Sequence, residues 1–178
     1  MNIKQYIPSR ARAFGLAAIG ALAIGGGLYG SGAYAASATS NATATVVTPI
    51  AISNTVDLAF GKFSAGTGGT VVMSTAGSRS ATGAVVLLTG TAGSAATFSV
   101  TGDGTATYAI TLPGSAATIT RVSGTETMSV GTFTSNPSAT GTLSGGAQTV
   151  NVGGTLTVAS AQVVGSYTGT FSVSVEYN

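Results

Sequence analysis

Residues 165–178 read GSYTGTFSVSVEYN, and their alternation decides the fold class. Tyr167, Phe171, Val173, Val175 and Tyr177 fall on one face, with Gly165 and Gly169 in phase. Ser166, Thr168, Thr170, Ser172, Ser174, Glu176 and Asn178 fall on the other. Successive side chains of a strand point to opposite faces, so this period of two predicts a half-buried β-strand running to the last residue.

The same pattern recurs upstream. In TFSVTGDGTATYAITLP (97–113), Phe98 and Val100 alternate up to Gly102-Asp103-Gly104, and Ala106, Tyr108, Ile110 and Leu112 alternate away from it. This reads as a β-hairpin ended by Pro113. In QTVNVGGTLTV (148–158), Val150 and Val152 precede a Gly153-Gly154 turn, and Leu156 and Val158 follow it. Thr and Val favour strands and Gly punctuates turns, while no window after residue 35 carries a capped 3.6-residue apolar period. Short strands at this spacing predict an all-β, antiparallel sandwich or barrel. A β-helix would need a fixed repeat, and the glycines fall irregularly. Disorder would need more charge and fewer β-branched residues.

Composition narrows function. The chain has 178 residues, only 6% of them charged, and no His, Cys or Trp. The commonest general base, the thiol nucleophiles and the usual zinc and copper ligands are therefore missing. So sparse a charge also argues against nucleic acid as a partner, because phosphate neutralisation needs a basic stripe. The expectation is a protein that is not an enzyme and uses no cofactor or metal.

The first 35 residues read as a secretory signal peptide. Lys4, Arg10 and Arg12 precede an apolar, small-residue run that closes on Ala33-Tyr34-Ala35, which places cleavage between Ala35 and Ala36. The rival reading, a retained membrane anchor, suffers from the helix-weakening Gly20, Gly25, Gly26, Gly27 and Gly30 and from a short apolar core. No retained transmembrane segment is expected, and no Arg-Arg pair points to twin-arginine export. Beyond residue 35 the cations are Lys62, Arg79 and Arg121 and the anions Asp57, Asp103, Glu126 and Glu176, so the chain's basic balance belongs to its leader. The domain plan is thus 1–35 leader, 36–47 N-terminal extension and 48–178 sandwich.

Candidate chemistry is thin. The four carboxylates are far apart and form no calcium-loop pattern; Asp103, between glycines, reads as a turn residue. There is no Gly-x-Ser-x-Gly elbow and no Ser-x-x-Lys pair. Gly66, Gly68 and Gly69 form a loop without the Lys-Ser/Thr that would hold phosphate. Asn41-Ala42-Thr43 matches the three-residue glycosylation pattern, which matters only in eukaryotic secretion. Arg79 and Arg121 read as structural or solvated.

The two ends carry a resemblance. Tyr177 is penultimate and Gly165 is fourteenth from the end, the layout of the last strand of chaperone–usher pilus subunits. Leu58-Ala-Phe-Gly-Lys-Phe63 resembles the Leu-x-Phe-Gly-x-aromatic segment of spore-coat-protein-U-like pilins. Over Leu58–Phe63, Gly83–Gly90, Ala96–Pro113, Val150–Val158 and Gly165–Asn178 the chain most resembles a secreted bacterial family catalogued as domain of unknown function 4402. The resemblance implies an incomplete immunoglobulin-like (pilin-like) β-sandwich, lacking its final strand and completed by an N-terminal extension of the next subunit. It implies a subunit-assembly groove along Gly165, Tyr167, Phe171, Val173, Val175 and Tyr177, and a donor segment presenting Ala42, Ala44 and Val46. Two departures stand out. The early disulfide common in such pilins is absent, and alanines fill pockets less deeply than Val or Ile.

Two function classes follow. In the first, the chain is an exported structural subunit of a fibre or adhesive layer on a Gram-negative cell surface. It self-assembles with identical or related subunits, with a periplasmic chaperone and an outer-membrane usher as implied partners. In the second, it is a monomeric secreted or periplasmic module binding a glycan or surface ligand through loops at one end of the sandwich. With no Trp and only three Tyr after residue 35, two of them in the last strand, the first class leads.

Overall fold

Valine, threonine and serine alternate along thirteen short strands, and the described residues contain no helix. The structure is a computed structural model that describes residues 35–178. The expected leader lies outside these residues apart from Ala35. Residues 35–49 belong to no strand and every one is exposed. Ala44–Asn178 forms one compact unit.

The strands are β1 (Ala51–Val56), β2 (Phe63–Ser64), β3 (Gly69–Met73), β4 (Arg79–Gly83), β5 (Val86–Leu87), β6 (Ala96–Thr101) and β7 (Thr107–Thr111). They continue as β8 (Ala117–Arg121), β9 (Thr127–Asn136), β10 (Thr140–Thr142), β11 (Ala147–Val158), β12 (Tyr167–Thr168) and β13 (Ser174–Tyr177). Eight of them make a curled sheet whose main path is β1-β6-β11-β9-β8-β12, with β3 and β4 joined beside β11. A three-stranded sheet, β10-β7-β13, and the pair β2-β5 complete the fold. All pairings are antiparallel, as an all-β sandwich with polar outer faces requires.

Three local expectations are corrected. The 97–113 stretch is not a hairpin: β6 pairs with β1 and β11, whereas β7 pairs with β10 and β13. The Gly102–Ala106 turn carries the chain from one sheet to the other, so Phe98 and Val100 join one core cluster with Tyr108 and Ile110. Gly153-Gly154 is no turn but the middle of the twelve-residue β11. There β11 exchanges β6 for β3 along one side, and its register against β9 shifts. A Cβ on Gly153 would meet the Met73 carbonyl oxygen at 2.3 Å, so the glycine admits a close backbone approach rather than a reversal.

The third correction bears on function. The C-terminal strand is broken. β12 pairs with β8 in the large sheet and β13 pairs with β7 in the small one. Between them Gly169–Val173 forms no strand pair and none of the backbone hydrogen bonds outside the strands. The chain crosses here from one sheet to the other.

Two apolar clusters fill the interior. One gathers Val71, Met73, Met128, Val130, Leu156 and Val158; the other gathers Phe98, Val100, Tyr108, Ile110, Leu143, Val150 and Val152. Phe133 and Leu58 pack against both. Tyr108 is fully buried, and its hydroxyl donates to Gln148 Oε1 at 2.6 Å. No buried side-chain polar atom among the described residues lacks a partner.

Candidate functional site: an apolar cleft between the segments after β1 and before β13

β1 is a terminal strand of the large sheet and β13 a terminal strand of the small one, so each presents an unpaired edge. The chain leaving β1 and the chain entering β13 run along the same side of the sandwich. Between them lies a cleft of about 680 Å³. One wall is Asn54 and Asp57–Gly61, the other Tyr167–Phe171. The floor is Phe98, Ile119, Val130 and Leu156, with Ala117 beside them. Phe98, Val130 and Leu156 are buried and Ala117 and Ile119 half-buried, so the cleft ends against the edge of the core.

The walls are built differently. β1 runs against β6 until a register shift between Asn54 and Val56, after which Ala59 exchanges two backbone hydrogen bonds with Ser94. The segment is held further by Arg79, whose guanidinium donates to the carbonyls of Phe60 (2.8 Å), Lys62 (3.2 Å) and Leu88 (3.1 Å). The opposite wall is tied only at its ends. At Tyr167 the hydroxyl donates to the Val163 carbonyl at 2.7 Å and accepts from Gln162 Nε2 at 2.8 Å. Between the ends, Phe171 stacks on Phe133 with ring centroids 4.8 Å apart and meets Phe98 edge-on at 6.4 Å. Its ring anchors a backbone that has no strand partner.

Of the six residues expected to form the groove, Tyr167 and Phe171 line the cleft. Val173, Val175 and Tyr177 pack against the second core cluster and remain half-buried. Gly165 lies apart: it is exposed, with φ +152°, and close to the Arg121 side chain. Alternation placed Gly165 in phase with the apolar face, but the chain turns before β12 and takes it away. Of the donor candidates, Ala42, Ala44 and Val46 are all exposed, Val46 at 97%. The sequence marks Leu58–Phe63 as pilin-like and Leu156 as a strand residue, but it does not place either at a groove, and Asn54, Ile119 and Val130 carry no signal of their own.

Charge at the cleft is slight, with Asp57 the one ionisable carboxylate on its lining. Beside the β12 end, Arg121 Nε donates to Glu126 Oε2 at 2.6 Å. That hydrogen bond, aided by backbone donors, holds the Glu126 carboxyl below the usual carboxylate range. Among the described residues no three His, Cys, Asp or Glu side chains gather into a metal-binding group.

Tyr177 links the two ends of the sandwich. Its hydroxyl donates to the Thr48 carbonyl at 2.8 Å and accepts from the Asp103 backbone N–H at 2.7 Å. The ring tip sits where a Cβ on Gly102 would lie, 2.3 Å from the hydroxyl oxygen.

What this arrangement can do chemically is limited and specific. Unpaired backbone beside an apolar groove is a template for another strand, and here that backbone is the Gly169–Phe171 side of the cleft. Alternate side chains of an inserted strand would fall on the apolar floor. β1 is antiparallel to β6 and β13 is antiparallel to β7.

A family model described as a domain of unknown function (DUF4402) matches residues 50–177, covering the sandwich. No curated protein and no solved structure gives a significant match.

Proposed function

The chain belongs to the family of domain of unknown function 4402, and from that premise we propose that it is a non-enzymatic, exported structural subunit of a bacterial surface fibre or adhesive layer. Subunits assemble by β-strand complementation with identical or related copies, after export through the periplasm, where a chaperone and an outer-membrane usher handle them. The observation that carries this reading is the cleft: Gly169–Val173 has an unpaired backbone with Phe171 and Val173 half-buried, and its Gly169–Phe171 part lies across the cleft from Asn54 and Asp57–Gly61. In a finished sandwich that gap would hold a strand.

The exposed extension is long enough to supply one. Residues 36–47 in extended form span roughly 40 Å at about 3.3 Å per residue, more than the reach of the Asn54–Gly61 wall. Sparse charge on the sandwich edges agrees with edges that are covered in use, since isolated sheets usually guard theirs with Lys or Pro. The resemblance to pilus subunits supports the surface location.

The test is assembly. Deleting Ala36–Thr45 should leave a soluble or chaperone-held monomer, with fibres lost from electron micrographs of the cell surface. Fibres that persist without the segment would shift the reading to a monomeric module that binds a glycan or surface ligand.

A further inference from the structure

The extension leads directly into β1, which continues into the Asp57–Gly61 wall of the cleft. Its nearest cleft is therefore its own, and a copy that filled its own cleft would never assemble. To do so the chain would have to reverse just before β1 and return antiparallel to it as a hairpin. Tight hairpin turns need residues that accept positive φ, chiefly Gly, Asn or Asp. The segment 44–50 reads Ala-Thr-Val-Val-Thr-Pro-Ile. Four successive β-branched residues, Thr45, Val46, Val47 and Thr48, resist that conformation. Pro49 then pushes Thr48 toward the extended region and removes a donor that a hairpin ladder would use.

Tertiary contacts add a second restraint. The Thr48 carbonyl is held by the Tyr177 hydroxyl, and the hydroxyl is itself fixed by the Asp103 N–H. Val46 and Val47, just outside this pin, are 97% and 49% exposed and belong to no strand.

Building on the strand-complementation reading, we propose that the Thr48-Pro49 step and the Tyr177 pin form a device that forbids self-closure, so that residues 36–47 serve only the cleft of a second copy. Tyr177 is in this account a positioning residue. It acts on the direction in which the chain leaves the sandwich, and its ring packing is a separate contribution.

The experiment uses the exported chain, residues 36–178, followed by sedimentation across a hundredfold range of concentration. Wild type should grow in mass with concentration. Thr48→Asn combined with Pro49→Gly installs an Asn-Gly turn. With Tyr177→Phe added, this variant should stay monomeric across the range and melt at a concentration-independent temperature. Tyr177→Phe alone keeps the ring but loses the pin, and should raise the monomer share roughly fivefold, the equivalent of one ordinary hydrogen bond. The proposal is overturned if the turn variant assembles as wild type does, or if wild type is itself a monomer destabilised by losing residues 36–47. Excess synthetic peptide of residues 36–47 separates the two levels of the account. If it shortens wild-type assemblies while the turn variant still assembles, only the self-closure argument falls. If it leaves them unchanged, strand complementation falls as well.

Discussion

Truncating Phe171 to alanine probes the cleft from the inside. A fully buried phenylalanine cut to alanine typically costs about 3–5 kcal/mol, part of it from the closed void left behind. Phe171 is only half-buried and lines an open cleft, so its removal widens a space that solvent already reaches. Half of the burial gain of a large apolar side chain is about 1–1.5 kcal/mol. Loss of the stacked contact with Phe133 and the edge contact with Phe98 adds roughly 1 kcal/mol. The expected cost in the dilute monomer is therefore about 2–3 kcal/mol. Urea titration reads it as a lowered midpoint with an unchanged slope. In the assembled state, where an inserted strand covers the ring, the penalty should be larger and assembly should weaken. A monomer cost of about 4 kcal/mol or more would mean that the ring is already enclosed and the cleft closed. No measurable cost would mean that the ring is not packed on Phe133 at all.

Other consequences are simpler. Tyr108→Phe should cost about 0.5–1.5 kcal/mol, since only the bond to Gln148 is lost while the ring stays buried. Burial pushes the Tyr108 phenol up, so its contribution holds below the ordinary phenol range and is lost as pH rises through the folded value; thermal melts at high pH should show a steeper decline in wild type than in the variant. Glu126 is shifted the other way by the Arg121 hydrogen bond: its contribution is present above the ordinary carboxylate range and fades as pH falls through the lowered folded value. Glu126→Gln should flatten that acid limb of the melting curve, by a small, salt-sensitive amount because the pair is partly exposed. Intact mass of the exported protein should correspond to a chain beginning at Ala36, and a retained leader would overturn the localisation.

Much of the fold was legible because alternation reports which face of a strand is buried. Phe98, Val100, Tyr108, Ile110, Val150, Val152, Leu156 and Val158 all read as inward-facing from spacing, and all are buried. Alternation does not report partners. The 97–113 stretch has the form of a hairpin whether its arms pair with each other or face one another across a core. Only the long-range pairings of β6 with β11 and β7 with β13 distinguish the two. Gly153-Gly154 misled for a related reason, since a glycine that admits a neighbouring backbone reads locally like one that turns the chain. The cleft was half visible. Both walls carry pilin-like patterns, at Leu58–Gly61 and at Tyr167–Phe171, but nothing local shows that Ile119, Val130 and Leu156, from three different strands, meet beneath them. The break between β12 and β13 leaves the alternation of residues 167–177 undisturbed, so no spacing argument could expose the unpaired backbone of Gly169–Val173.

That backbone gives the most direct test of strand complementation. Amide hydrogen exchange of Gly169–Val173 should be fast in dilute wild-type protein, because no strand pairs with it. Adding a synthetic peptide of residues 36–47 should slow alternate amides of this stretch by roughly tenfold or more as they donate to the inserted strand. Exchange that is already slow in the dilute monomer, or that stays fast at saturating peptide, would contradict an open cleft made to receive a strand.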